Sequence, residues 1–330
     1  MRAIVIARPG GPEVLELREV ETPSPSRGEV RVRVRACAIN RADLLQRLGA
    51  YPAPPGVPAD IPGLEYAGEI DAIGEGVSGL AIGDRVYGLV GGGACAEQLV
   101  THAATVARVP DNLSFVEAAA VPEAFITAYD AMVVQGRLAA GETVLISAVG
   151  SGVGTAAIQI ARAIGARSIG TVRGTARGAS KIERALGLGM DEGIVVEGGR
   201  FAEEVKRRTA GRGVEVILEL VGGGYFDEDL GCLAPRGRLI LVGLLAGRSA
   251  EVDLAVILRN RLEVRGTVLR ARPLDEKIQA GQLLARHMNP LFARGALRPV
   301  IDRALPLSQA SEAHAIMADN DLFGKIVLET

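Results

Sequence analysis

The hydrophobic rhythm of the chain changes near residue 120. Before it, short runs rich in Val, Ile and Leu at 3–7, 15–20, 29–36, 66–73, 85–89 and 94–101 are separated by Gly and Pro clusters such as Pro9-Gly10-Gly11-Pro12. Short β-prone runs bounded by turn residues predict many short strands and a compact barrel. From Pro122 the spacing turns helical over 123–135. Strand-like segments at 143–147, 168–172, 214–220, 238–242 and 262–267 then alternate with helix-like ones at 154–165, 179–186, 201–209 and one ending at 230–233. That alternation predicts a parallel sheet wound by helices on both faces. Beyond Pro273 the pattern gives a helix through 283–287 and a final strand, Lys325-Ile326-Val327-Leu328, expected to return to the N-terminal barrel. The predicted class is α/β, with one domain from 1–122 and 268–330 and a doubly wound domain from 123–267. No internal repeat or low-complexity linker interrupts the chain.

Composition narrows the functions this fold can serve. With 330 residues, 48% of them apolar, the chain can bury two cores. A net charge of -2 without any basic stripe argues against a polyanionic partner. The three cysteines, Cys37, Cys95 and Cys232, form no C-x-x-C pair, so they are expected as buried fillers in a reducing compartment. The first residues lack the continuous apolar region of a secretion signal, and no uncharged run approaches the roughly 18 residues of a membrane span. A cytoplasmic location is expected, with no nucleic-acid or membrane partner.

The strongest chemical signal is the glycine-rich string Val149-Gly150-Ser151-Gly152-Val153-Gly154, between a predicted strand and a predicted helix. Small residues there let the backbone approach a pyrophosphate, and the amides at the helix start supply donors and positive potential. The string is not a literal G-x-G-x-x-G, because Val149 and Ser151 stand where the first two glycines would be. Gly150, Ser151, Gly152 and Val153 are the expected contacts. An NAD site normally carries Asp or Glu about twenty residues beyond the turn. Here the second strand ends in Thr171-Val172-Arg173, and no acid occurs before Glu183. Arg173, with Arg177 and Lys181 behind it, suits a 2′-phosphate and favours NADPH over NADH.

With these motifs in place, the whole chain resembles the medium-chain dehydrogenase/reductase superfamily. The resemblance rests on Pro9-Gly10-Gly11-Pro12, Asn40-Arg41-Ala42-Asp43-Leu44, Gly63-Leu64-Glu65-Tyr66-Ala67-Gly68, Gly83-Asp84-Arg85-Val86 and Gly324-Lys325-Ile326-Val327-Leu328. Within the superfamily the chain is similar to the zinc-independent quinone oxidoreductases, nearest their p53-inducible branch. The resemblance implies a GroES-like catalytic domain, a Rossmann domain inserted in it, NADPH as cofactor and a homodimer. Where zinc-dependent members place Cys and His ligands, this chain has Asn40 and Leu64, neither a zinc ligand, so no metal is expected.

Without a Lewis acid the acceptor must take hydride directly, which suits a quinone or another conjugated carbonyl compound held against the nicotinamide in a dry interdomain cleft. By resemblance Asn40 and Tyr51 are the catalytic candidates, and Thr127 lies beneath the nicotinamide. Val242, Gly243, Leu244, Leu269 in the family-like string Leu269-Arg270-Ala271-Arg272, and Lys325 complete the contacts that the resemblance implies for the cofactor. Asn40 can also be read as the cap of a helix over 43–48, Tyr51 as a packing aromatic, and Lys325 as a surface lysine. Two departures stand out: the loop after Arg173 is lengthened, and the tyrosine that packs near adenosine in relatives is replaced by Val195 or Val196. The alternative activity is reduction of an enoyl thioester or enone with Tyr51 as proton donor. A third reading is a non-catalytic NADPH-binding protein.

Overall fold

The chain opens with an antiparallel pair, β1 (Arg2–Ile6) and β2 (Leu15–Glu19), in a computed structural model that describes all 330 residues. There follow β3 (Glu29–Ala38), α1 (Arg41–Arg47), β4 (Glu65–Ile73), β5 (Arg85–Leu89), β6 (Gln98–His102), β7 (Ala107–Arg108) and α2 (Phe115–Ala119). After α3 (Pro122–Tyr129) come β8 (Thr143–Ile146), α4 (Gly152–Ile164), β9 (Arg167–Arg173), α5 (Gly178–Gly187), β10 (Glu192–Val196) and α6 (Ala202–Arg208). The same alternation continues with β11 (Val214–Glu219), α7 (Tyr225–Cys232), β12 (Leu233–Leu241), α8 (Leu254–Asn260) and β13 (Glu263–Gly266). The chain finishes with α9 (Leu274–Leu283), α10 (Asn289–Ala293), β14 (Ile301–Pro306), α11 (Ala310–Ala318) and β15 (Lys325–Glu329). Two units result, Met1–Ile126 with Leu269–Thr330, and Thr127–Val268. The first junction falls inside α3 rather than at its start.

In the first unit β3 organises the sheet. Its Val30, Val32, Val34 and Ala36 are buried while the arginines between them take the other face, the period-two signature of a strand with one side on a core. One edge of β3 pairs with β4 along its whole length. The other edge is shared: residues 29–33 pair with β6 and 36–38 with β15. The closing strand thus does return to the N-terminal sheet, where it also pairs in parallel with β14. Its side chains Ile326 and Leu328 join Val32, Tyr66, Ile70 and Leu44 in one apolar cluster.

The second unit is a six-stranded sheet in the order β10-β9-β8-β11-β12-β13, parallel throughout. Every residue of β8 is buried, as expected of a central strand covered on both faces. Helix α4 ends at Gly165, whose left-handed φ of 77° closes the turn into β9. The helical spacing over 123–135 resolves into α3 and a π-helical turn, Asp130–Gln135. No helix is long and apolar enough to cross a membrane.

Candidate functional site

The strand order places the topological switch of the second unit between β8 and β11, where the chain reverses its direction of winding. In open parallel sheets, ligands bind outside the carboxyl ends of the strands at such a point. Ser147, just past β8, ties the two strand ends together: its Oγ donates to Leu218 O at 3.2 Å and accepts from Leu220 N at 2.7 Å. Ala148 then takes a left-handed φ of 50° and turns the chain. Gly150 is buried, while Ser151, Gly152 and Val153 are half-buried. Ser151 caps α4, its Oγ accepting from Gly154 N at 3.0 Å. A Cβ on Gly154 would lie 2.6 Å from Ala148 O, so this last glycine of the string is the one that close helix packing requires.

Arg173 is the exposed last residue of β9, Arg177 the exposed cap residue of α5, and Lys181 lies half-buried in that helix's first turn. The three expected 2′-phosphate residues therefore lie in one run, from the end of β9 into the first turn of α5. On β10, Val196 is buried and Val195 partly exposed. Thr127 is buried within α3. Val242 and Gly243 follow β12 directly, and both amides donate to Glu219 O, at 2.9 and 3.2 Å. With these amides engaged, their carbonyls are the backbone groups left to hydrogen-bond a ligand. Leu244, next in line, is half exposed.

In the first unit the sequence candidates belong to a buried polar network. Asn40 caps α1, with its own N–H donating to Asp43 Oδ2 at 2.8 Å. Its carboxamide is engaged at both ends, since Nδ2 donates to Glu65 Oε1 at 2.9 Å while Oδ1 accepts from Lys325 Nζ. Lys325 is 4% exposed and so is no surface lysine. Its ammonium donates to Ile39 O at 3.0 Å and to Asn40, and pairs with Glu65 Oε1 at 2.7 Å. All three of its donors are thereby spent inside this unit. Glu65 Oε2 accepts from Glu123 N at 2.8 Å, and Asp43 Oδ1 from Gly63 N at 2.9 Å. Burial pushes the Asp43 carboxyl up to about 6, against the opposing pull of those amides and of the Lys325 and Arg270 charges.

Tyr51 lies beyond α1 in irregular backbone and is half-buried. Arg270, beside the half-buried Leu269, places its guanidinium over the Tyr51 ring at 5.0 Å. Sequence reasoning quoted Glu65 and Asp43 only as parts of motifs and missed the network they form. An acid at the start of a strand with an otherwise apolar face was the available signal. It also missed a second acid pair, Glu219 at the end of β11 and Asp229 on α7, both wholly buried. The Cys37 and Cys95 thiols are buried 3.6 Å apart and unbridged, and Cys232 is likewise a buried free thiol.

Comparison with known proteins places this arrangement in a family. Residues 26–128 match the alcohol dehydrogenase GroES-like domain and residues 152–286 the zinc-binding dehydrogenase family. The synaptic vesicle membrane protein VAT-1 homolog of Rattus norvegicus is 31% identical over 343 residues, covering 99% of this chain and 84% of that protein. The quinone oxidoreductase of Lama guanicoe is 42% identical over 181 residues, 54% of each protein. For several such curated relatives, the chain spans about half their length or less. The structure of Escherichia coli quinone oxidoreductase complexed with NADPH superposes with a TM-score of 0.87 at 29% identity, covering 100% of both chains. The chain belongs to the medium-chain dehydrogenase/reductase superfamily, is similar to its quinone oxidoreductases, and joins a GroES-like domain to a Rossmann domain. Despite the word zinc in one family description, no group of three or more His, Cys, Asp or Glu side chains here is arranged to hold a metal ion.

Proposed function

We propose that the protein is an NADPH-dependent quinone reductase of the cytoplasm. The observation that carries the reading is Arg173. It ends the second strand of a Rossmann sheet at the place where an NAD site carries an acid, with Arg177 and Lys181 on the adjoining segment. The turn fits a dinucleotide, because Gly154 brings α4 hard against Ala148 and leaves Ser151, Gly152 and Val153 at the helix start. Gly150, Ser151, Gly152 and Val153 would hold the pyrophosphate, and Arg173, Arg177 and Lys181 the 2′-phosphate. Thr127, the carbonyls of Val242 and Gly243, Leu244 and Leu269 would surround the nicotinamide. When bound, the cofactor supplies a hydride.

Among the chain's own groups, Tyr51 is the one we assign to the acceptor, where its hydroxyl binds a carbonyl oxygen and gives up a proton to it. Asn40 and Lys325, fully paired with each other and with Glu65, hold α1 and β15 in place rather than touching either substrate. With no ligand set for a Lewis acid, an electron-poor quinone is the acceptor class that these residues can serve. The held tyrosine also favours a second activity, reduction of an enone or enoyl thioester.

Calorimetry with NADPH and NADH tests the cofactor, with at least a tenfold preference for NADPH expected and its loss in Arg173→Gln. Steady-state rates with 1,2- and 1,4-quinones beside a crotonyl thioester test the acceptor. Turnover of the thioester alone would replace the first reading by the second. We further infer a homodimer built on β13, one of the two open edges of the parallel sheet, which directly follows α8, where Leu254 and Leu258 are 72% and 77% exposed. Light scattering should give twice the chain mass, and a monomer at micromolar concentration would overturn this.

A further inference from the structure

Tyr51 is unusual in how completely the rest of it is held. Its N–H donates to Leu45 O at 3.2 Å, and its carbonyl accepts from Arg270 Nη1 at 3.1 Å. The face of its ring lies against the same guanidinium. Only the hydroxyl makes no hydrogen bond within the chain. Arg270, 5% exposed, also donates from Nε to Gly91 O at 2.8 Å and from Nη2 to Gln46 Oε1. Gln46, on α1, in turn donates to Ala59 O at 2.9 Å. One guanidinium therefore ties together the Tyr51 turn, the loop after β5 and, through Gln46, the Pro-rich segment that precedes β4.

A buried cation that hydrogen-bonds only neutral acceptors is a costly arrangement, and loop packing alone has cheaper solutions. A planar fork is what the geometry needs: its edges reach three acceptors in different directions while its face stays free for an aromatic ring. Lysine offers no such face. We propose that Arg270 is a positioning residue, fixing the Tyr51 side chain so that its unpaired hydroxyl is presented to the acceptor carbonyl. This rests on the assignment of Tyr51 above and adds the residue through which that assignment becomes a defined geometry.

The chain contains no tryptophan, so Tyr51→Trp installs a sole indole reporter at the held position. Its fluorescence anisotropy should be high and its quenching by acrylamide weak. Adding Arg270→Met, or Arg270→Lys where the methionine variant does not fold, should lower the anisotropy and at least double the quenching constant. An indole equally immobile in both backgrounds overturns the proposal. Kinetics provide the second arm. Arg270→Met should lower kcat for a quinone about tenfold with little change in KM, because misplacing a reacting group by about 1 Å costs up to a hundredfold. In a Tyr51→Phe background the same substitution should cost less than twofold, whereas independent effects would multiply and overturn the proposal. Should Tyr51→Phe alone leave kcat unchanged, the assignment of Tyr51 falls, and the clamp is then judged on the indole alone. NADPH titration of each variant checks that the second unit is intact.

Discussion

Glu65 in the first unit and Glu219 in the second are both wholly buried acids at a strand end, yet their surroundings are opposite. Glu65, opening β4, receives a cation and two further donors: Lys325 Nζ, Asn40 Nδ2 and Glu123 N. Glu219, closing β11, receives the amides of Val221 and Gly222 and then meets a second acid, Asp229. Ser147, Tyr225 and Glu228 lie around that pair without adding a positive charge to it. Burial raises both carboxyls, Asp229 well above its ordinary range, and their closeness raises Asp229 further. Two like charges buried so close to each other resist ionising together, which favours the protonated form of at least one of them. In the first unit the fold supplies the buried acid with a cation; in the second it supplies none, and burial raises the acids instead.

Removing the cation should break the first arrangement most severely. Lys325→Met leaves Glu65 buried and unpaired, and denaturant unfolding should show a loss of about 3–5 kcal/mol. Adding Glu65→Gln should restore a large part of it. A loss below about 1 kcal/mol for Lys325→Met would mean that Glu65 does not depend on its partner. The second arrangement should give a smaller effect that depends on pH. Since both carboxyls are raised in the folded protein, the folded chain binds protons that the unfolded chain releases. The associated stability is complete below the unfolded carboxylate range near 4 and is lost as pH climbs through the folded values. Asp43, at about 6, contributes its own loss between roughly pH 4 and 6. Above that window the acid pair still contributes to the slope. Asp229→Asn should therefore raise Tm by a few degrees at pH 8, about 1 kcal/mol or more, and change it little at pH 5. Parallel Tm curves for the variant and the parent would remove the acid pair's proton from the account.

This contrast marks what could be read from the sequence. Strand β5 was placed at its observed bounds, and β8, β9, α5 and β11 within a residue or so, because their apolar runs are framed by glycine, proline or charged residues. Strand β10 was passed over, since Glu192–Val196 is too short and too mixed to announce itself. Strand β14 was hidden by its polar, half-exposed pattern. The helix expected through 283–287 instead straddles the end of α9 and a π-helical turn, Leu284–Met288. The glycine-rich turn and Arg173 were legible because both lie in one short stretch. The Glu65–Lys325 pair was not, because its members are joined only when β15 comes to lie beside β3. Arg270 was quoted for its string, but its hold on Tyr51 depends on a fold that brings residues 51, 91 and 270 together.

That return of β15 also imposes an order of events on the ribosome. The sheet of the second unit is drawn from one continuous stretch of chain and has all of its strands once residue 266 has been made. The first unit is begun earlier and completed later. Until Lys325 emerges, Glu65 lacks its lysine partner, and residues 36–38 of β3 lack theirs along one edge. The nascent protein therefore carries every strand of the parallel sheet while the first unit still lacks its last one. Any proteolytic trimming that removes the last strand should return it to that half-made condition.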